Sequence, residues 1–304
     1  MTTFGSKRAV LLLGSTGFIG RNLIRFFERT ASPPILRGIS SKEIDLTKRI
    51  SIKQLIAHYD DRTTIILASA LTRDKQDDID SMNQNIAMVQ HVAAAIQIQK
   101  PAHLIFLSSC DVYGNANQRL PIHEETVCEP NTYYGVSKFI GEFILKKTCE
   151  QKQIPLTILR FGGIYGSDAP REHIVFKFIN SGINDEPILI YGDGSDTRDY
   201  VFIGDLCQTI KKIIDQMDAG VFNIVTGTSY SVLQIAQLVE EFLMQKIKVR
   251  FEPRRRELFH CQFDNRKLKK VCGSFTFLDL RKFIQESLNP KLIKTRSANF
   301  EKFS

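Results

Sequence analysis

No stretch of the 304-residue sequence stays apolar for the roughly 18 residues that a spanning helix needs, which argues against an integral membrane protein. The first apolar run, Ala9–Leu13, follows Lys7 and Arg8. It is too short for a signal peptide and passes straight into a glycine-rich loop, so the chain reads as mature and cytoplasmic. None of the six cysteines (Cys110, Cys128, Cys149, Cys207, Cys261, Cys272) forms a C-x-x-C pair. No Cys/His group has zinc-ligand spacing, so the reading is reduced, mostly buried thiols and no metal. Internal repeats, low-complexity tracts and long linkers are missing too. What is present is a 43% hydrophobic composition, enough to bury a full core, over a length that fits one large or two smaller domains.

The formal charge of +8 is unevenly spread. Residues 245–304 carry 16 Lys/Arg against 6 Asp/Glu, a net +10, and the remainder is −2. Only Arg254, Arg255 and Arg256 cluster tightly, and no aromatics interleave the basic residues as single-strand binders require. A nucleic-acid partner is therefore not expected. Solvated charge or an anionic small substrate fits better.

Short apolar runs alternate with longer helical patterns. The runs are Ala9–Leu13, Ile35–Ile39, Thr64–Ala68, Leu104–Leu107 and Leu156–Leu159, and they predict strands buried on both faces. The helical patterns are Phe18–Arg29, Ile50–Tyr59, Ile79–Gln99 and Tyr133–Glu150. This rhythm predicts an α/β fold with a doubly wound parallel sheet. After Arg160 glycines and Pro170 and Pro187 loosen the pattern. Helices are expected again near Gly204–Gln216, Val232–Lys246 and Leu278–Ser287, and strands near Ile188–Tyr191, Val221–Val225 and Ile247–Phe251.

Gly14-Ser15-Thr16-Gly17-Phe18-Ile19-Gly20 lies between the first strand and the first helix. A turn this tight needs glycine, and the helix start offers amides and a positive dipole end to a pyrophosphate. The loop therefore reads as a dinucleotide site for NAD or NADP. The acid expected about 20 residues on, at the end of strand two, is missing from Ile35–Ser40, and Arg37 stands there instead. Arg37 meets either a 2′-phosphate, favouring NADP, or solvent. Asp45 and Leu46 approach the adenine.

Tyr134 and Lys138 lie four residues apart near a predicted helix start, on one face. An ammonium beside a phenol favours the phenolate, which makes a usable base near neutral pH. Ser109 follows strand four at the carboxyl edge, where such sheets bind ligands, and can hydrogen-bond a reacting hydroxyl.

With these residues on the page, the sequence resembles the extended short-chain dehydrogenase/reductases, in particular the nucleotide-sugar epimerase/dehydratase family. The resemblance runs through Gly14–Gly20, Ser108–Gly114, Pro130–Lys138, Arg160–Gly166, Tyr191–Asp205 and Phe222–Ile224, then to Arg254 and Asp264. It implies a nucleotide-diphosphate sugar as substrate, with Arg198 and Arg254 on the diphosphate. It also implies Ala68, Ser69 and Ala70 along the cofactor and Asn85 near the lysine. Residues 1–163 and 199–226 would form the Rossmann domain, and 164–198 with 227–304 the substrate domain. A homodimer through the third and fourth helices is implied as well.

Two positions depart from the family. Gly163 stands where it often carries Asn, and Cys110 stands where 4,6-dehydratases carry an acid. The second departure points away from dehydration. What remains is epimerisation through a transient 4-keto sugar or an NADP-dependent 4-keto-sugar reductase. A non-catalytic cofactor sensor on the same fold has no need of Ser109, Tyr134 and Lys138 together.

Overall fold

A computed structural model describes residues 9–73, 75–115, 119–166, 169, 173–254, 258–273 and 275–288. Lys7, Arg8, Pro170, Arg255 and Arg256, read above, lie outside them. The chain divides into two compact units. The first is Met1–Gly114, Val127–Arg160 and Cys207–Phe222, and the second is Asn115–Thr126, Phe161–Leu206 and Asn223–Ser304. Four segments fall differently from the sequence expectation: 115–126, 161–163, 199–206 and 223–226 all belong to the second unit. Residues 115–126 join the second unit, where Ile122 bridges to Phe263. Residues 199–206 join it too, because their strand pairs outside the large sheet.

The first unit begins β1 (Ala9–Leu13), α1 (Phe18–Glu28), β2 (Ile35–Ile39), α2 (Ser51–Ile56), β3 (Thr63–Leu67), α3 (Ile79–Ile98) and β4 (His103–Leu107). A short 3₁₀ turn, Cys110–Tyr113, precedes α4 (Tyr133–Lys152) and β5 (Leu156–Phe161). The sheet has the order β2-β1-β3-β4-β5-β9, with β9 at Gly220–Ile224, and its pairs from β2 to β5 are all parallel. The strand order reverses between β1 and β3, and in open α/β sheets the crevice at such a switch point takes the ligand.

Strands β3 and β4 are buried along their whole length, as two-sided burial demands. Alternate residues Leu11, Leu13, Ile65, Leu67, Leu104 and Phe106 share one cluster with Val89, Val92 and Ile96 of α3 and Leu145 of α4. β2 departs from expectation: it is the edge strand, and Ile35 and Arg37 are exposed. The reason is local. Residues 40–50 form turns and supply no further strand to cover it.

Helix starts follow side-chain chemistry. Asp78 and Ser81 form a reciprocal capping box on α3, and Thr132 caps α4 by accepting from the Gly135 N–H at 3.0 Å. Gly141 lets α4 lie close to α3 and the sheet: a Cβ there would be 3.1 Å from Phe106 and 3.2 Å from Val89.

The second unit holds β6 (Gly163–Tyr165), α5 (Ile174–Ile183), β7 (Ile188–Tyr191) and β8 (Thr197–Phe202). Helix α6 (Ile203–Gln216) runs from it into the first unit. After β9 come β10 (Ser229–Ser231), α7 (Val232–Leu243), β11 (Val249–Glu252), α8 (Arg266–Cys272) and α9 (Leu280–Ser287). Its sheets are β10-β8-β6 and β11-β7. Among the described residues no helix is long and apolar enough to cross a membrane, and no His/Cys/Asp/Glu group could hold a metal. All six cysteines are free thiols; five are buried and Cys128 is half-buried.

Candidate active site

The glycine loop closes over the carboxyl end of β1. Gly14 has φ +96°, and a Cβ there would sit 2.8 Å from the Ser69 nitrogen, so only glycine fits under the Ala68-Ser69-Ala70 segment. At Gly20 a Cβ would fall 2.2 Å from the Gly14 carbonyl oxygen, so α1 can start against the loop only with glycine there. Gly17 is the N-cap of α1 and offers no side chain, which leaves the first amides of that helix uncapped. The sequence-predicted residues Gly14 to Gly20 and Ala68 to Ala70 therefore meet at the switch point. An open helix start and a cradle that admits no Cβ suit a dinucleotide pyrophosphate.

Around this cradle the other expected cofactor residues take different places. Asn85 of α3 holds both polar atoms of Leu71, accepting from its N–H at 2.8 Å and donating to its carbonyl at 3.0 Å. Its amide also reaches Ser137 Oγ at 3.3 Å, so it ties the loop after β3 to α4. Asp45 accepts from the N–H and hydroxyl of Thr47, and the Leu46 carbonyl meets His91 Nδ1 at 2.8 Å. Arg37 stands within β2, and its charge acts on the Glu43 carboxylate just past the strand end. It pairs in register with Leu11, two residues before Ile39.

Ser109 lies at the end of β4, 7% exposed, and its Oγ accepts from the Asp111 N–H at 3.1 Å. That bond leaves its own proton to give. Tyr134 is half-buried in the first turn of α4, and its N–H donates to Asp77 at 2.9 Å. Lys138 lies one turn on, 4% exposed. Its Nζ donates to the Leu107 carbonyl at 2.7 Å and stands 5.6 Å from the centre of the Tyr134 ring. Burial pulls this ammonium down to about 7, and the Glu142 carboxylate opposes the pull. The strand end and the helix start thus bring Ser109, Tyr134 and Lys138 to one edge.

Three features were not foreseen. Glu142, 1% exposed, accepts from Ser108 Oγ at 2.6 Å and takes a two-pronged pair from Arg160 at 2.9 and 2.6 Å. Arg160 also donates to the Tyr113 hydroxyl at 2.9 Å. This buried network fixes the floor under Lys138. Its sequence signal was the four-residue step from Lys138 to Glu142. Arg73, on the loop after β3, pairs with Asp111 at 3.2 Å beside Ser109. Asp77 caps α4 from that same loop. No spacing announces contacts so distant in sequence.

In the second unit Arg198 projects from β8, half-buried, with its guanidinium 5.3 Å from the centre of the Phe259 ring. Arg254 instead pairs with both Asp193 and Asp196, and Asp196 accepts the Phe259 N–H at 2.9 Å. A Cβ at Gly192 (φ +77°) would strike the Arg254 guanidinium. The two arginines therefore differ: one is stacked, the other neutralised by two carboxylates. Gly163 lies flat under Tyr200, and a Cβ there would be 2.8 Å from the ring, so the phenol fills the space beside that backbone. Arg266 pairs with Asp264 on the surface at the start of α8.

Residues 10–225 match the family model described as "NAD dependent epimerase/dehydratase family". The UDP-glucose 4-epimerase of Mycoplasma genitalium is 25% identical over 293 residues, covering 83% of this chain and 86% of that protein. The GDP-6-deoxy-D-talose 4-dehydrogenase of Aggregatibacter actinomycetemcomitans is 24% identical over 297 residues, covering 94% and 98%. The solved structure of RMD from Pseudomonas aeruginosa complexed with NADPH superposes with a TM-score of 0.81 at 18% identity, covering 93% and 98%. The glycine cradle at the switch point, the serine, tyrosine and lysine at the neighbouring strand and helix ends, and the family match over most of the chain agree: this protein belongs to the NAD-dependent epimerase/dehydratase family, on a Rossmann-type short-chain dehydrogenase/reductase fold.

Proposed function

We propose that the protein epimerises a nucleotide-linked sugar at C4, through a transient 4-keto sugar. The carrying observation is the Ser109, Tyr134 and Lys138 arrangement, with the lysine Nζ against the tyrosine ring. A bound NAD or NADP supplies acceptance and return of a hydride at its nicotinamide ring. Gly14, Ser15, Thr16, Gly17, Phe18, Ile19 and Gly20 would hold its pyrophosphate, with Ala68, Ser69 and Ala70 alongside. Ser109 donates its free proton to the sugar hydroxyl and orients it. Tyr134 takes the hydroxyl proton as the keto group forms and gives it back on reduction. Lys138 stabilises the phenolate through its charge and is oriented by the Leu107 carbonyl. Cys110 supports epimerisation over dehydration, because a buried thiol is a poor replacement for the carboxylic acid that would protonate a leaving hydroxyl.

Arg198 is the stronger candidate for the substrate diphosphate, because Arg254 already serves two carboxylates. Arg198→Ala is expected to weaken binding of nucleotide diphosphates and their sugars roughly tenfold or more, about 1.4 kcal/mol, while NAD(P) affinity stays the same. Calorimetric titration with UDP, GDP and dTDP checks this. Unchanged affinity for all three removes Arg198 from the substrate site.

The second reading is a 4-keto-sugar reductase, favoured by the full-length similarity to a 4-dehydrogenase. Mass spectrometry of the purified protein separates the two. A retained dinucleotide supports the epimerase, and an empty site that exchanges reduced cofactor supports the reductase.

The assembly we infer is a cytoplasmic homodimer through α3 and α4. Phe139 and Phe143, one turn apart on α4, are 40% and 61% exposed, an apolar pair with the character of a partner surface. Phe143→Glu is expected to shift the sedimenting species from dimer to monomer. A wild type that sediments as a monomer overturns the assembly.

A further inference from the structure

We propose that Asp77 and Arg73 are positioning residues: from the connection between β3 and α3 they hold Tyr134 and Ser109 at the separation that proton transfer with one sugar hydroxyl requires. The inference rests on the function proposed above and assigns two residues to that reaction which act through the groups they hold. Ser109 ends β4 and Tyr134 lies in the first turn of α4, so no single element sets the distance between them.

The first amides of a helix find no partner within it. In α4 the Gly135 N–H goes to the adjacent cap, Thr132, but the Tyr134 N–H goes to Asp77, 57 residues away, at 2.9 Å. Asp77 is itself placed by its neighbour. Asp78 accepts the Ser81 N–H at 2.9 Å and gives its own N–H to the Ser81 hydroxyl at 3.1 Å, which starts α3. Of two consecutive acids, one therefore starts α3 and the other holds the start of α4. The Tyr134 carbonyl is held too: it accepts from Ser137 Oγ at 2.7 Å, and that oxygen meets the Asn85 amide of α3.

The same connection reaches Ser109. Arg73 pairs with Asp111 at 3.2 Å, and the two side chains are only 23% and 20% exposed, sheltered enough for the pair to keep its geometry. The Asp111 N–H donates to Ser109 Oγ at 3.1 Å and leaves the serine proton to give. The Asp111 carbonyl lies against Gly135, where a Cβ would be 2.6 Å from that oxygen. The contacts close a ring: Ser109, Asp111, Arg73, Asp77, Tyr134, and through Gly135 back to Asp111. A misplacement of about 1 Å can cost on the order of 10²-fold in rate, so such a ring acts on chemistry before it acts on folding. Asp77 is exposed, and its removal strands no buried group.

The test uses wild type, Asp77→Ala, Asp77→Asn and Arg73→Ala. Steady-state kinetics are measured on UDP-, GDP- and dTDP-linked hexoses with NAD and NADP, and dinucleotide affinity and Tm on the same preparations. Asp77→Ala is expected to lower kcat about tenfold or more, with KM and dinucleotide affinity within about threefold of wild type and Tm within about 3 °C. Asp77→Asn keeps an oxygen for the Tyr134 N–H and should recover kcat to within about threefold of wild type. Arg73→Ala should lower kcat by about threefold or more, again with KM little changed. Either Ala variant at the wild-type kcat, a loss at Asp77→Ala that falls on KM and Tm instead, or an Asp77→Asn protein as slow as Asp77→Ala overturns the proposal alone. A folded wild type that turns over none of these sugars overturns the function proposed above, and this inference with it.

Discussion

Tyr134→Phe is expected to fold and bind dinucleotide like the wild type and to lose about 10²–10⁴-fold in turnover, the usual contribution of a positioned proton-transfer group. The change removes one hydroxyl from a half-buried ring and leaves the N–H bond to Asp77 untouched. α4 keeps its Thr132 cap, and Lys138 keeps its bond to Leu107. Kinetics and cofactor titration on one preparation separate chemistry from binding. A Tyr134→Phe protein that turns over at the wild-type rate would remove the tyrosine from the mechanism. Parallel losses of stability and cofactor affinity would give it a structural role.

The second large effect is one of stability. Glu142 and Arg160 are a buried pair, and removing one partner strands the other charge in a low-dielectric interior. Glu142→Ala is expected to cost about 3–5 kcal/mol. For a chain of this size that corresponds to a fall in Tm of roughly 5–8 °C. It also leaves Ser108 Oγ without its acceptor. Glu142→Gln keeps the volume and an acceptor and should lose less. Thermal denaturation followed by circular dichroism reads both variants, and a Glu142→Ala protein within about 1 kcal/mol of wild type would show that water or rearrangement satisfies Arg160.

The first half of the fold was legible because its signals are local. Ala9–Leu13 is a short apolar run ending at a glycine, and β1 spans those same residues. Ile79–Gln99 became α3 to within one residue, with Asp78 as its cap. Ser109, Tyr134 and Lys138 could be singled out as candidates because a strand end and a four-residue helical step are patterns of neighbours in sequence. The second unit was read less well, for physical reasons. β6 and β10 have three residues each, too few to show a period. β8, Thr197–Phe202, sits in a glycine-punctuated stretch and finds its partners in Gly163–Tyr165 and Ser229–Ser231. α5 and α8 lie in stretches read as loop and as scattered charge.

The network beneath the site shows the same limit. Glu142 lies at a helical step from Lys138, yet its partner Arg160 comes from β5. Asp77 reaches Tyr134 across 57 residues. Such contacts belong to tertiary structure, and the residue types alone do not pair them.

The most direct test of the central claim is isotopic. UDP-, GDP- and dTDP-linked sugars carrying deuterium at C4 are incubated with wild type and with Tyr134→Phe, each with added NAD or NADP, and the sugars are followed by NMR. The account predicts that wild type inverts C4 of at least one of them, with a primary isotope effect and a requirement for dinucleotide, and that Tyr134→Phe does so about 10²–10⁴-fold more slowly. A wild type that binds dinucleotide yet leaves C4 of every nucleotide sugar unchanged, in configuration and oxidation state alike, would contradict it.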